Sequence, residues 1–300
     1  MTLIMNCSRT NRSARFGLWL SVALAVVAAP ALHAQAPLWL GDWYPVFDLQ
    51  ITLDNNINRS IDGDGEKRDL VIEPRLSLQH QYPLENEWVF SLEGYLAGAI
   101  HGKYHKLNHV VPGAIVGMSR FLGDGANAPL FIAQLGVRYE FHDQDARFGA
   151  EVNPRLETQF NLGDFLYSSI YYEYDNRFAS ENEIYDRDGH TIGLHIDVEV
   201  TPQYIFQLGY AYRYGDVLVH EPSDGPAPNI PGKVFPVDTF TAHYAALKFT
   251  NEDRHTLYVG AQYALSLYTT LDLRLVHEEI RANSDKYPSS QILFAVRHIL

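Results

Sequence analysis

Cysteine is all but missing from this sequence. The one present, Cys7, precedes the apolar run near the N-terminus and is not placed like a lipid-attachment cysteine. Without residues 1–36 the chain has none, which excludes disulfide staples and thiolate metal sites. Long apolar stretches are equally scarce. "GLWLSVALAVVAAPA" is the one such run, and it falls short of the roughly twenty residues of a spanning helix. No helical stripe follows it. Positive charge is in deficit, with 23 Lys and Arg against 36 Asp and Glu. That balance does not suggest nucleic acid or an anionic inner leaflet as a partner.

The apolar run follows "MTLIMNCSRTNRSARF", which carries Arg9, Arg12 and Arg15 and no acid. After it comes "LHAQAP", where Ala34 and Ala36 fit a small-x-small cleavage pattern and Pro37 stands just beyond. Residues 1–36 therefore read as a secretory signal peptide, and residues 37–300 as the mature protein. Three of the 23 basic residues and none of the 36 acids lie in the leader, so the mature charge is −16, with 20 basic residues against 36 acidic.

What the chain has in quantity is aromatic side chains, 19 Tyr, 15 Phe and 4 Trp. These favour strands and membrane interfaces. It also has period-two alternation, the period of a strand. In "VFDLQITLDNN" Phe47, Leu49, Ile51 and Leu53 oppose Asp48, Gln50, Thr52 and Asp54. In "LVIEPRLSLQHQY" Leu70, Ile72, Leu76 and Leu78 oppose Glu73, Arg75, Ser77 and Gln79. "HTLYVGAQYALSL" sets Leu257, Val259, Ala261, Tyr263, Leu265 and Leu267 against Thr256, Gly260, Gln262 and Ser266.

A soluble sandwich would bury the apolar faces and use shorter strands. A membrane barrel turns them to lipid and needs about 9–11 residues or more per strand. These segments run long, and their polar faces carry glycine, small residues and charges of both signs. Short turns ("YPLENEW", "NLGDF", "VTPQY", "SLYTTL") alternate with longer polar connections, as in barrels with short periplasmic turns and longer outer loops. The predicted fold is all-β, a closed antiparallel transmembrane barrel of about twelve strands. The predicted strands fall near 45–57, 68–82, 87–101, 111–122, 130–142, 146–161, 165–178, 188–201, 203–217, 254–267, 269–281 and 290–300. "TFTAHYAALKF" is also strand-like, and counting it would give an odd number. Residues 218–253 are therefore assigned to one long extracellular excursion containing at most a protruding ribbon, its first half broken by Pro222, Pro226, Pro228, Pro231 and Pro236.

The chain closes on "SQILFAVRHIL", where Ile292, Phe294, Val296, His298 and Leu300 share one face. Pairing this strand with the first would remove both sheet edges. With that alternation the sequence resembles bacterial outer-membrane β-barrel proteins, and "GYAYRYGDV" and "YALSLYTTLDLRL" look like hairpins of uncharacterised proteobacterial surface barrels. The resemblance implies a Gram-negative outer membrane, with lipid and lipopolysaccharide around the barrel. It also implies recognition of the C-terminal strand by the barrel-assembly machinery. Leu300 stands where these proteins usually end in an aromatic residue, and His298 where Tyr is common.

With the apolar faces outward, the expected lumen set is Glu73, Arg75, Glu93, Arg138, Glu140, Glu151, Arg155, Glu157, Glu173, Asp175, Arg177, His195, Asp197, Glu199, Arg213, Asp272, Arg274 and Glu278. Interleaved signs suit a self-neutralising structural network, and equally a polar conduit for a charged or sugar-like solute. Catalytic patterns are thin. No His is followed by Ser two positions on, and G-x-S-x-G, H-E-x-x-H and Walker patterns are absent. His142, Asp143 and Asp145 resemble the rim His and Asp groups of omptin-type proteases, but such clusters are common in polar loops. Asn58, Ser60, Asp62, Gly63 and Asp69 stand at EF-hand-like offsets, although Asp-Gly is a turn pair in any case. His101, His105 and His109, four apart, would share a face only on a helix. No cofactor or metal is expected. The expected role is a channel for passive or facilitated passage of small polar solutes. A non-conducting barrel that displays its loops and a barrel hydrolase are the alternatives.

Overall fold

The computed structural model describes residues 43–61, 65–125, 127–143, 147–222, 233–237, 239–240 and 244–300. The proposed leader lies outside them. Strands β1 (Tyr44–Asp54), β2 (Asp69–Pro83), β3 (Val89–His101), β4 (His109–Phe121), β5 (Leu130–His142), β6 (Gly149–Asn161) and β7 (Leu166–Ala179) follow in order. They continue as β8 (Arg187–Thr201), β9 (Tyr204–Pro222), β10 (Lys233–Val237), β11 (Tyr244–Ala264), β12 (Thr269–Ala282) and β13 (Asp285–Ile299). Every strand but β10 is a stave, each pairing antiparallel with the next, β9 with β11 and β13 with β1, so the ring is a closed twelve-strand barrel. Closure leaves no unpaired backbone edge, which an apolar surround demands. The final strand pairs Val46 with Ile299 through to Asp54 with Gln291.

The two faces of the staves separate cleanly. Leu76, Leu96, Val116, Leu135, Leu156, Ile170, Leu194, Leu208, Val259, Leu273 and Phe294 are all exposed on the outside. Tyr82, Phe165, Tyr204 and Tyr268 stand at the end that carries the short turns, and Phe141, Phe178 and Tyr214 at the other. An apolar band between aromatic girdles suits acyl chains flanked by headgroups.

Several boundaries differ from the sequence expectation, with β1 ending at Asp54 rather than near 57 and β6 starting at Gly149 rather than near 146. The β12–β13 connection is a tight turn on Asn283 and Ser284, both at positive φ (49° and 71°), as a two-residue hairpin needs. Accordingly β13 starts at Asp285 rather than near 290. Leu265 and Leu267 lie past the end of β11, in the short turn.

Residues 218–253 hold the ribbon that the sequence reading allowed. Part of "TFTAHYAALKF" is strand, yet it adds no stave. Residues 244–249 are the upper end of β11, continuous with the stave below. Opposite them β9 runs on to Pro222, pairing Val217 with Phe249 and Val219 with Leu247. On the other flank, which β12 has vacated, β10 pairs Phe235 with Ala246. Pro236 is tolerated because β10 is an edge. A bulge between Phe249 and Glu252 bends the ribbon away from the wall. Gly215, opposite Glu252, has φ +156°, and any Cβ there would strike the Asp188 carbonyl and Gly189. Glycine is required at this bend.

Candidate functional site: the lumen and its covered mouth

Four contacts reach over an intervening strand, which side chains do only on the concave face of a barrel. Arg177 on β7 reaches Glu140 on β5, and Arg213 on β9 pairs with Asp175 on β7 at 2.7 Å. His195 on β8 meets the Tyr258 hydroxyl on β11. Arg274 Nε on β12 donates to Gln207 Oε1 on β9 at 3.2 Å. These residues therefore face the lumen.

Ion pairs populate that face. Arg75 bonds Glu93. Arg138 bonds Glu151 at 2.8 Å and lies 3.5 Å from Glu140. Arg155 holds Glu157 at 2.7 Å and Glu173 at 3.4 Å. His195 sits 2.7 Å from Asp197, and Arg274 2.8 Å from Asp272. Glu73 accepts from Gln50 at 2.7 Å. Arg138, Glu151, Arg155, Glu173 and Arg213 converge on a cavity of about 630 Å³. Glu73, Arg75, Glu93, Glu157, Arg177, His195, Asp197, Asp272 and Arg274 do not line it. Sequence reasoning missed Arg59, Arg187 and Arg254 in its wall. Arg187 and Arg254 share parity with inward neighbours His195 and Thr256 and were legible, while Arg59 comes from an irregular loop where no period applies.

A second pattern is repeated around the inner wall. Tyr95 pairs in register with Gly113, Tyr171 with Gly193 and Tyr258 with Gly209. In each pair a Cβ on the glycine would overlap the tyrosine ring, so the ring lies flat on bare backbone. An arginine covers the other face: Arg75 at 4.0 Å from the Tyr95 centroid, Arg155 at 3.9 Å from Tyr171 and Arg274 at 5.5 Å from Tyr258. Cation–π contact adds to ion pairing, and bulky rings and guanidiniums are held against the wall.

The mouth at the long-connection end is spanned by folded chain. One face of the ribbon buries Val217, Val219, Ala245, Leu247 and Phe249 against Ile280, Ala282 and Tyr287 of the β12–β13 hairpin. The other face brings Tyr244 and Ala246 together with Phe240, with Ile184 and Tyr185 of the β7–β8 connection, and with Leu107 of the β3–β4 connection. Tyr104 and Phe240 rings lie 5.0 Å apart. The β3–β4 connection stands opposite β9 and β11 in the twelve-stave ring. A ribbon that reaches it crosses the opening.

Loop 55–61 is stapled to this cover. Asn56, Asn58 and Ser60 are buried. Asn58 Nδ2 donates to the carbonyls of Gly65 and His220, each at 3.0 Å. Ser60 Oγ donates to Glu221 at 2.8 Å. These two groups of the EF-hand-like pattern are thus engaged in packing, while Asp62 and Gly63 lie outside the described residues. Arg59 pairs with Glu278 at 2.6 Å and Asp54 at 2.8 Å. Burial opposes its charge, but the two carboxylates outweigh it and hold the guanidinium above its ordinary pKa. Arg147 is the converse case. Burial lowers its pKa, and its partners are neutral: the Tyr185 ring at 5.1 Å, His220 Nε2 at 3.2 Å and Thr239 at 3.3 Å.

The remaining sequence candidates do not assemble. His142 bonds Glu140 at 3.1 Å and lies against His109 with the rings tilted and their centroids 4.7 Å apart, and Asp145 lies outside the described residues. His101 is bonded to Asp69 at 3.0 Å. Among the described residues no three His, Cys, Asp or Glu are grouped to hold a metal.

No family model and no curated protein matches the sequence. Solved structures do. The fold is that of outer-membrane β-barrels. An outer-membrane channel from Pseudomonas putida F1 superposes with a TM-score of 0.59 at 9% identity, over 86% of this chain and 95% of that one. The KdgM porin gives 0.43 at 12% identity, over 84% and 98%. The Pseudomonas putida toluene transporter TodX gives 0.45 at 11% identity, over 92% and 92%. The first of these carries the fold assignment. At such identities the likeness extends to fold alone.

Proposed function

We propose that the protein is an outer-membrane channel for passive or facilitated passage of small polar solutes. The observation that carries this reading is the polar, ion-paired lumen with its roughly 630 Å³ cavity, inside a closed barrel that is apolar outside. A cavity of that size matches a small organic solute. The likeness to an outer-membrane channel supports the location. Lipid and lipopolysaccharide would contact the apolar band, and the β13 alternation would serve the barrel-assembly machinery. A cleaved leader ending at Ala36 would deliver the chain, which N-terminal sequencing of the membrane-extracted protein checks. The covered mouth would face outward, and a tag inserted after Asp224 should then be labelled on intact cells.

The ribbon across the mouth favours a second reading, a barrel that displays its loops and does not conduct. Planar-bilayer recordings separate the two. A channel gives conductance steps, enlarged in Phe249→Ala, which loosens the cover. A folded, heat-modifiable barrel that is silent in both forms is a display barrel.

A further inference from the structure

The carboxylates around the lumenal cavity are all taken. Glu151 is held by Arg138, Glu173 by Arg155 and Asp175 by Arg213. Asp216 is held by Lys248 at 2.7 Å, and Glu278 by Arg59 with Arg254 at 3.7 Å. Among the described residues one cation of the cavity wall is left over. Arg187, at the start of β8, lines the cavity and makes no hydrogen bond or ion pair with any described residue. Its cross-strand neighbour is Arg177, which is committed to Glu140. Two residues along, Gly189 lies under the guanidinium of Arg213. Arg187 thus stands beside Arg177 and Arg213, and the carboxylates that act on it, Glu140 and Glu151, are already paired with Arg177 and Arg138.

A guanidinium withdrawn from bulk water without a counter-charge is unfavourable. Its planar fork matches a carboxylate or phosphate in two-point geometry. Thr191, on the same strand and in the same cavity, adds a hydroxyl, and Ala211 leaves space opposite. We infer that the cavity under the ribbon is a binding site for a small anionic solute, a carboxylate or phosphate monoanion, with Arg187 as the recognising cation. The inference deepens the channel reading and rests on it for the solute's passage, but the binding itself is independent of conduction.

The test is a phosphorus NMR titration of the folded barrel in detergent with inorganic phosphate, in chloride-free buffer. Wild type should bind saturably. Arg187→Gln should bind about tenfold more weakly or worse, the scale of a lost charge-assisted hydrogen bond. Arg187→Lys should recover part of the loss, and Arg281→Gln, on the exposed rim, should match wild type. If Arg187→Gln fails to show the heat-modifiable folded band, Ala211→Glu replaces it. A carboxylate placed in the cavity should abolish binding. Absence of saturable binding in wild type, or unchanged binding in Arg187→Gln or Ala211→Glu, overturns the site. Binding without conductance in bilayers keeps the site and removes the channel.

Discussion

The wall and the cover of this barrel use the same strands with opposite polarity. Up to Arg213, β9 points Leu208 and Tyr210 outward and Gln207 and Arg213 inward. Past Gly215 the same strand buries Val217 and Val219 in a dry core. In β11 the change falls at the bulge between Phe249 and Glu252, with Val259 exposed below and Leu247 buried above. Alternation alone does not say which face is inside. The wall has no neighbour outside it but solvent or lipid, so its apolar face is left exposed. The ribbon has protein on both sides, so both its faces bury side chains, and it gains about 1.5–3 kcal/mol per fully buried large apolar group.

The largest effect that probes this difference is Phe249→Ala. It should destabilise the cover by about 3–5 kcal/mol, read as faster hydrogen exchange confined to 217–222 and 244–249, with the staves unchanged. Phe206→Ala, the same truncation on the outer wall, should do far less, because mobile acyl chains refill the space. Equal effects would erase the distinction. Next is Val259→Arg on the outer wall, expected to cost about 2–4 kcal/mol in lipid unfolding measurements. Gln262→Arg, on the lumen side, should be much milder. Third is Gly209→Val on the inner wall, which must displace the Tyr258 ring. Overpacking of that kind costs about 1–3 kcal/mol, and it should release His195 from the Tyr258 hydroxyl, visible as a moved imidazole NMR signal. The smallest is Arg213→Ala. Loss of this lumenal guanidinium should shift the bilayer reversal potential toward cation preference. An unchanged potential would assign Arg213 to bracing Asp175 and the Asp188 and Asp216 carbonyls alone.

The sequence by itself determined the wall. A period of two fixes which residues share a face, so the opposition of Leu257 and Val259 to Thr256 and Gln262 was legible without coordinates, as were the stave count and the short turns. It also placed Arg155 beside Glu157, since residues two apart on a strand lie on one side. Contacts of long sequence separation were not legible. Nothing in the order of residues says that Asn58 will bond the His220 carbonyl, that Tyr258 will lie on Gly209, or that Phe240 will meet Tyr104. Those contacts depend on where closure of the ring and the bend at Gly215 bring distant segments. Whether Val219 faces lipid or core, and whether Arg187 finds a carboxylate, was therefore decided by the tertiary structure, because alternation specifies sides of a strand and only packing specifies what stands on each side.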